Sequence, residues 1–216
     1  NAQKARRPAV RSVKVALLGS YTTTQLGPML CLAAGKLGIH IDLYESRYGQ
    51  YQQDILDHKS ALYAFNPNIV LLAVHEGDLH LPEYSQRPEE DVRQEVSRWT
   101  GLWQMVTERS RARIVQHNFA LPCEVPTGHL ATRLSGSRYM MTKAVNTRLG
   151  EAAANTVSLV DCERLSALIG KQRWCDPRYW NVSKQAVALE ALPLLGRHTA
   201  AVIASDLGLS RKCLVL

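Results

Sequence analysis

Long apolar runs are missing from this chain. No stretch reaches the ~18 consecutive apolar residues that a membrane-spanning helix needs. The opening residues are polar and basic through Arg7, so the apolar core of a secretory signal is missing as well. A cytoplasmic protein without a membrane segment is the expectation. C-x-x-C pairs are also absent. Cys31, Cys123, Cys162, Cys175 and Cys213 stand far apart, which argues against a zinc ribbon or a thioredoxin-type motif and suits free thiols in a reducing compartment. His75, His80, His117, His129 and His198 lack the i,i+4 spacing of a helical metal site, and Gly77 interrupts the nearest two; no metal is expected. No G-x-G-x-x-G or G-x-x-x-x-G-K-[ST] phosphate loop and no G-x-S-x-G elbow occurs. No cofactor is expected.

Acidic residues are the minority, 19 against 26 Lys and Arg, for a formal net charge of +7. Much of the excess is local. Lys4, Arg6, Arg7, Arg11 and Lys14 lie in the N-terminal lead-in, and Arg109, Arg111 and Arg113 surround the end of a helix, where cations complement the helix dipole. No segment interleaves basic and aromatic residues as a single-strand-binding groove does, so nucleic acid is not an expected partner.

What is present is a globular composition, 46% hydrophobic and 21% charged, with strand and helix patterns in alternation. Apolar strands are expected at 13–18, 69–74, 112–119 and 157–160, and an alternating edge strand at 39–44. Helices are expected at 28–37, 51–58, 88–109, 138–154 and 190–207, the last interrupted near its start by Pro193. Val92, Val96, Trp99, Trp103 and Val106 form the stripe of the long helix. Residues 122–136 read as a loop. Such alternation implies right-handed βαβ crossovers and a parallel sheet of about five strands in the order 2-1-3-4-5, a flavodoxin-like three-layer α/β/α sandwich. Residues 1–12 read as a tag remnant and basic lead-in, 13–210 as the α/β domain, and 211–216 as the opening strand of a following domain cut short.

Ligands of such sheets bind outside the carboxyl ends of the strands. The candidates are therefore the segment Gly19 to Thr24 with Gly19, Ser20 and Thr22, then Glu45 to Tyr48, His75 to Asp78, Asn118, Asp161, and the cluster from Trp174 to Trp180 that contains Asp176 and Arg178. Gly19 permits a tight turn. Ser20 is read either as a nucleophile near backbone N–H groups at a helix start or, with the threonines, as a helix cap. Asn118 could donate to an oxyanion or satisfy loop backbone. Asp176 could orient a base or cap the segment that Pro177 opens, and His75 could be a general base or an ordinary loop residue.

Leu17-Leu18-Gly19-Ser20-Tyr21-Thr22-Thr23 resembles the first block of the SGNH-hydrolase-like domain at the N-terminus of FkbH-like proteins. Trp174-Cys175-Asp176-Pro177-Arg178-Tyr179-Trp180, with Lys184 after it, resembles that domain's late W-x-D-x-R-x-W…K block. Lys212 to Leu216 resembles the lead-in to the haloacid-dehalogenase-type domain that follows. The resemblance runs from about Val13 to Leu216. It implies an association with polyketide and hybrid peptide assembly lines, where the following domain loads a glyceryl unit onto an acyl carrier protein.

For the part present here, the resemblance implies either of two functions. One is an SGNH-type hydrolase or acyltransferase on acyl or glyceryl carrier-bound esters, with Ser20, Asp176 and His75 catalytic and Gly19, Thr22, Asn118 and Arg178 binding the oxyanion or substrate. The other is a non-catalytic module that binds acyl carrier protein or supports its neighbouring domain. Departures from the hydrolase pattern bear on the choice. Ser20 follows Gly19 directly where G-D-S is usual, Gly77 precedes Asp78 where an Asn is usual, and Tyr179 stands where D-x-x-H would place the histidine.

Overall fold

Alternating apolar positions send each strand's side chains into two separate cores. The computed structural model describes residues 11–153, 155 and 157–209. Five strands, β1 (Arg11–Gly19), β2 (Ile39–Glu45), β3 (Ile69–Ala73), β4 (Arg113–His117) and β5 (Val157–Val160), form one sheet in the order β2-β1-β3-β4-β5. Every neighbouring pair is parallel, as expected. In β1, Val13, Val15 and Leu17 enter one core, while Ala16 and Leu18 enter the other. β3 is buried along its whole length, which is why it reads as an unbroken apolar run. Each fully buried leucine of these strands contributes about 2 kcal/mol by removal from water.

One face of the sheet carries α1 (Leu26–Lys36) and α9 (Leu192–Asp206). The two helices pack so closely that a Cβ at Gly196 would lie 3.1 Å from the Met29 backbone. The other face carries α4 (Pro88–Arg109) and α5 (Arg138–Ala152), with the short α2 (Tyr51–Leu56) and α3 (Ala61–Phe65) beside them. The result is the three-layer sandwich read from the sequence. α4 begins with Pro88, has Glu89, Glu90 and Asp91 in its first turn and ends in Arg109, all in accord with the helix dipole. After β5 the chain forms three short helices, α6 (Cys162–Ile169), α7 (Lys171–Trp174) and α8 (Pro177–Ser183).

Boundaries differ from expectation in places. β1 begins at Arg11, so the end of the basic lead-in is part of the sheet. α1 begins at Leu26, with Pro28 inside its first turn, and α2 stops at Leu56 because Asp57 is extended. Pro193 does not interrupt α9 but sits in its first turn, where its missing N–H costs nothing. The loop at 122–136 holds a 3₁₀ turn, Gly128–Arg133. α3, α6, α7 and α8 span only about one or two turns, too little to repeat an apolar stripe, and were not expected from the sequence. The strand expected at 211–216 lies outside the described residues. Among those described, no helix is long and apolar enough to cross a membrane.

Candidate functional site

Gly19 ends β1 at the carboxyl edge of the sheet, and the chain folds back sharply there. A Cβ at this position would lie 2.5 Å from Thr23 Cγ2 and 2.9 Å from the Tyr21 carbonyl oxygen, so only glycine fits. Ser20 follows, 7% exposed. Its backbone N–H donates to the Ala73 carbonyl at 3.0 Å, and its Oγ has no hydrogen-bond partner among the described residues. The next helix starts only at Leu26, so Ser20 is not at a helix N-terminus, contrary to expectation, and neither it nor a threonine side chain caps α1. Thr22 instead joins the turn to the end of α8. Its N–H donates to the Lys184 carbonyl at 3.0 Å and its hydroxyl to the Ser183 carbonyl.

His75 follows β3 and caps a short 3₁₀ turn, Glu76–Asp78. Its Nδ1 accepts the Gly77 N–H at 3.1 Å. A Cβ at Gly77 would sit 2.5 Å from His75 Cε1, so the glycine makes room for the ring. The ring packs edge-on between Tyr21, at 5.9 Å between centroids, and Trp180, at 4.7 Å. Two arginines hold this segment from behind. Arg98 donates to the Asp78 carbonyl at 2.8 Å, and Arg138 to the Glu76 and Leu79 carbonyls at 2.8 and 3.2 Å.

Asn118, after β4, is engaged on both sides of its amide. Its Nδ2 donates to Asp161 Oδ1 at 2.9 Å and its Oδ1 accepts the Glu163 N–H at 3.1 Å, which fastens the start of α6. Asp176 caps α8 by accepting the Arg178 N–H at 3.0 Å, and the Arg178 guanidinium grips the same carboxylate at 3.0 and 2.8 Å. That fork holds the carboxyl below the usual carboxylate range.

Beside these residues lies a cavity of about 350 Å³. His75 and Asp176 line it; Ser20, Asn118, Thr22 and Arg178 do not. Its walls are mostly apolar, with Val74, Leu121, Trp174, Trp180 and Val187 prominent. Tyr21 and His117 also border it, 2% and 1% exposed. The Tyr21 hydroxyl has no partner among the described residues, and burial raises its pKa. His117 Nε2 lies 3.0 Å from Thr199 Oγ1, and burial lowers its pKa to about 3. Cys162 and Cys175 complete this side. Burial raises the first, and burial together with the neighbouring Cys123 thiol raises the second to about 12. All four groups are therefore uncharged at neutral pH.

Lys171 braces the floor, its ammonium donating to Glu163 Oε2 at 2.6 Å and to the Leu121 carbonyl at 3.3 Å. No group of three or more metal-ligating side chains occurs among the described residues.

Tyr21 lies in the strand-end segment Gly19–Thr24 expected to carry the site, though no role was expected of it, and His117 was not among the expected site residues. His117 carries no local signal, because its significance lies in what faces it from α9.

The fold is shared with solved structures of low sequence identity. The N-terminal part of the protein BF1531 from Bacteroides fragilis, which contains a phosphatase domain, matches with a TM-score of 0.79 and 20% identity over 92% of this chain and 53% of that one. A gut microbial diltiazem-metabolizing enzyme matches with a TM-score of 0.52 and 10% identity over 94% of this chain and 48% of that one. The chain thus spans about half the length of each. An acetyl-xylooligosaccharide esterase from Geobacillus stearothermophilus matches with a TM-score of 0.53 and 12% identity over 95% of this chain and 99% of that one. These likenesses identify an SGNH-type three-layer fold. No curated protein matches the chain. The family model described as "FkbH, N-terminal domain" matches residues 14–204, and the chain belongs to that family.

Proposed function

We propose that this domain is a binding module on an esterase-type fold, which receives an acyl carrier protein in the cytoplasm and does not hydrolyse the group that protein carries. The observation that carries this reading is the state of Ser20: its Oγ is buried, lacks a base among the described residues and does not line the cavity. The groups an ester hydrolase would need are also engaged elsewhere. The Ser20 N–H bonds the Ala73 carbonyl, the Gly77 N–H bonds His75, and the Asn118 amide bonds Asp161. Asp176 is held by Arg178, and Tyr179 occupies the place of the usual histidine. A serine without its base loses most of its rate.

A carrier protein is acidic, and a chain of net charge +7 attracts it over the range that salt screens. In polyketide and hybrid peptide assembly lines such a module would present the carrier to a following haloacid-dehalogenase-type domain.

The second reading is an ester hydrolase or acyltransferase with Ser20 as nucleophile, favoured by the position of Ser20 immediately after β1. One experiment separates the two. The chain and its Ser20→Ala variant are assayed on short acyl esters and on acyl-loaded carrier protein, with carrier binding measured at low and high salt. Binding that weakens in salt, with no turnover in either protein, supports the module. Turnover that Ser20→Ala abolishes overturns it.

A further inference from the structure

Two cysteines meet beside the cavity, on backbone that is neither helix nor strand. Cys123 is exposed and sits at a bend in the loop after β4, directly behind Leu121 and Pro122, which line the cavity. Cys175 joins α7 to α8, is half-buried, and lines the cavity itself. Both reach the same atom. The Lys171 carbonyl oxygen accepts the Cys123 S–H at 3.0 Å and the Cys175 N–H at 3.0 Å. The Cys123 thiol is also close enough to the Cys175 thiol to oppose its ionisation. No group of three or more metal-ligating side chains occurs among the described residues, whereas a structural zinc takes four ligands. The pair therefore suits thiol chemistry. A disulfide requires the two Cβ atoms to stand about 3.5–4.5 Å apart, and irregular segments make that adjustment more readily than a packed helix or strand.

We infer that Cys123 and Cys175 are a redox pair, which a small-molecule disulfide converts to an intramolecular disulfide that staples the loop after β4 to the link between α7 and α8. The Cys123 thiolate, its proton released to solvent, attacks one sulfur of the small disulfide. That S–S bond breaks, and the departing thiolate is protonated. Cys175 gives up its own proton, attacks the Cys123 sulfur and expels the second small thiolate, which is protonated in turn. The protein pair is oxidised by two electrons, and the small disulfide is reduced to two thiols. Cys123 reacts first because it is exposed, whereas burial holds Cys175 as the thiol. The ammonium of Lys171 favours the Cys175 thiolate and so assists the second step. The new bond ties together two walls of the cavity, since Leu121 and Pro122 stand on one side of it and Trp174 and Asp176 on the other. This inference goes beyond the binding-module reading and does not depend on it.

The probe is oxidised glutathione, added to the reduced chain at high protein dilution and quenched with acid over time. Intact mass and non-reducing peptide mapping read the products. A glutathione adduct on Cys123 is expected first, followed by a peptide pair linked through Cys123 and Cys175 that dithiothreitol releases. Cys123→Ser should abolish the crosslink, and Cys175→Ser should stop the reaction at the adduct. The parent alone decides the matter if a variant folds poorly, because the linked peptides are read directly. Oxidation should raise the melting temperature by about 5 °C or more. It should also slow amide hydrogen exchange in the peptides on either side of the bond at least severalfold. A stable adduct on Cys123 with no crosslink overturns the inference. So does a crosslink through Cys31, Cys162 or Cys213, or one between two chains. A crosslinked protein with unchanged exchange and melting overturns the staple.

Discussion

His117 and Thr199 meet inside the protein, the ring Nε2 lying 3.0 Å from the threonine Oγ1, with neither residue more than 1% exposed. The contact ties the carboxyl end of β4 to the middle of α9, next to the cavity. Burial makes the neutral ring the only form the interior accepts, with a folded pKa of about 3. Below about pH 6.5 the unfolded chain takes up a proton that the folded chain refuses. The contribution of His117 is therefore whole above about pH 6.5 and is lost progressively as pH falls toward about 3. Urea unfolding at about pH 7.5, 6 and 5 should show falling stability, and His117→Gln should flatten that dependence. A wild-type curve no steeper than the variant's would contradict it.

Two glycines should respond oppositely to alanine. Gly101 lies within α4, and an added Cβ there would have nothing within 4 Å, so Gly101→Ala should raise stability by about 0.5–1 kcal/mol through helix propensity. At Gly196 the added methyl meets Met29 backbone at 3.1 Å and Leu30 N at 3.3 Å. Backbone yields only if α1 and α9 separate, so Gly196→Ala should lower stability by about 1–3 kcal/mol. Thermal melts of the two variants decide this.

Glu95 is 3% exposed and holds three partners, Arg98, the Trp99 indole N–H at 2.8 Å and the His80 N–H at 3.3 Å. Glu95→Ala strands a partly buried guanidinium and a buried indole donor. It should cost about 3–5 kcal/mol, and Glu95→Gln, which still accepts from Trp99, should cost less. Equal urea midpoints for Glu95→Ala and the parent would refute the network's importance.

Cysteine reactivity should follow exposure. Cys123 is exposed, whereas burial raises the thiol pKa of Cys31, Cys162 and Cys175. Because the thiolate is the reactive form, iodoacetamide at about pH 7.5 should modify Cys123 before these three, with Cys162 last. Peptide mass mapping over time reads the order.

The sheet was legible because burial on both faces writes itself as continuous apolar runs. Residues 69–74 carry that pattern most clearly, and the central strand β3 forms from Ile69 to Ala73 among them. The alternation at 39–44 likewise marked β2 as an edge. The short helices after β5 were illegible for the converse reason. α7 has only four residues, too few for any period, and it exists because Gly170, at φ +94°, turns the chain so that Trp174 is buried.

The candidate site divides in the same way. Strand-end position alone brought Ser20, His75 and Asn118 to one sheet edge, since parallel strands align their carboxyl ends. Which of them face the cavity was a tertiary decision. The Ser20 N–H went to Ala73 and the Asn118 amide to Asp161 and Glu163, partners 53, 43 and 45 residues away in sequence. The same is true of His117, whose neutrality comes from burial and whose partner Thr199 comes from α9. The sequence by itself determined the apolar runs from which the strands form, the helix start marked by Pro88, and the absence of a histidine in the usual hydrolase position. Only the tertiary structure decided that the Ser20 hydroxyl is buried with no partner among the described residues and that Tyr21 lines a mostly apolar cavity, because burial and pairing are properties of neighbours that folding brings together.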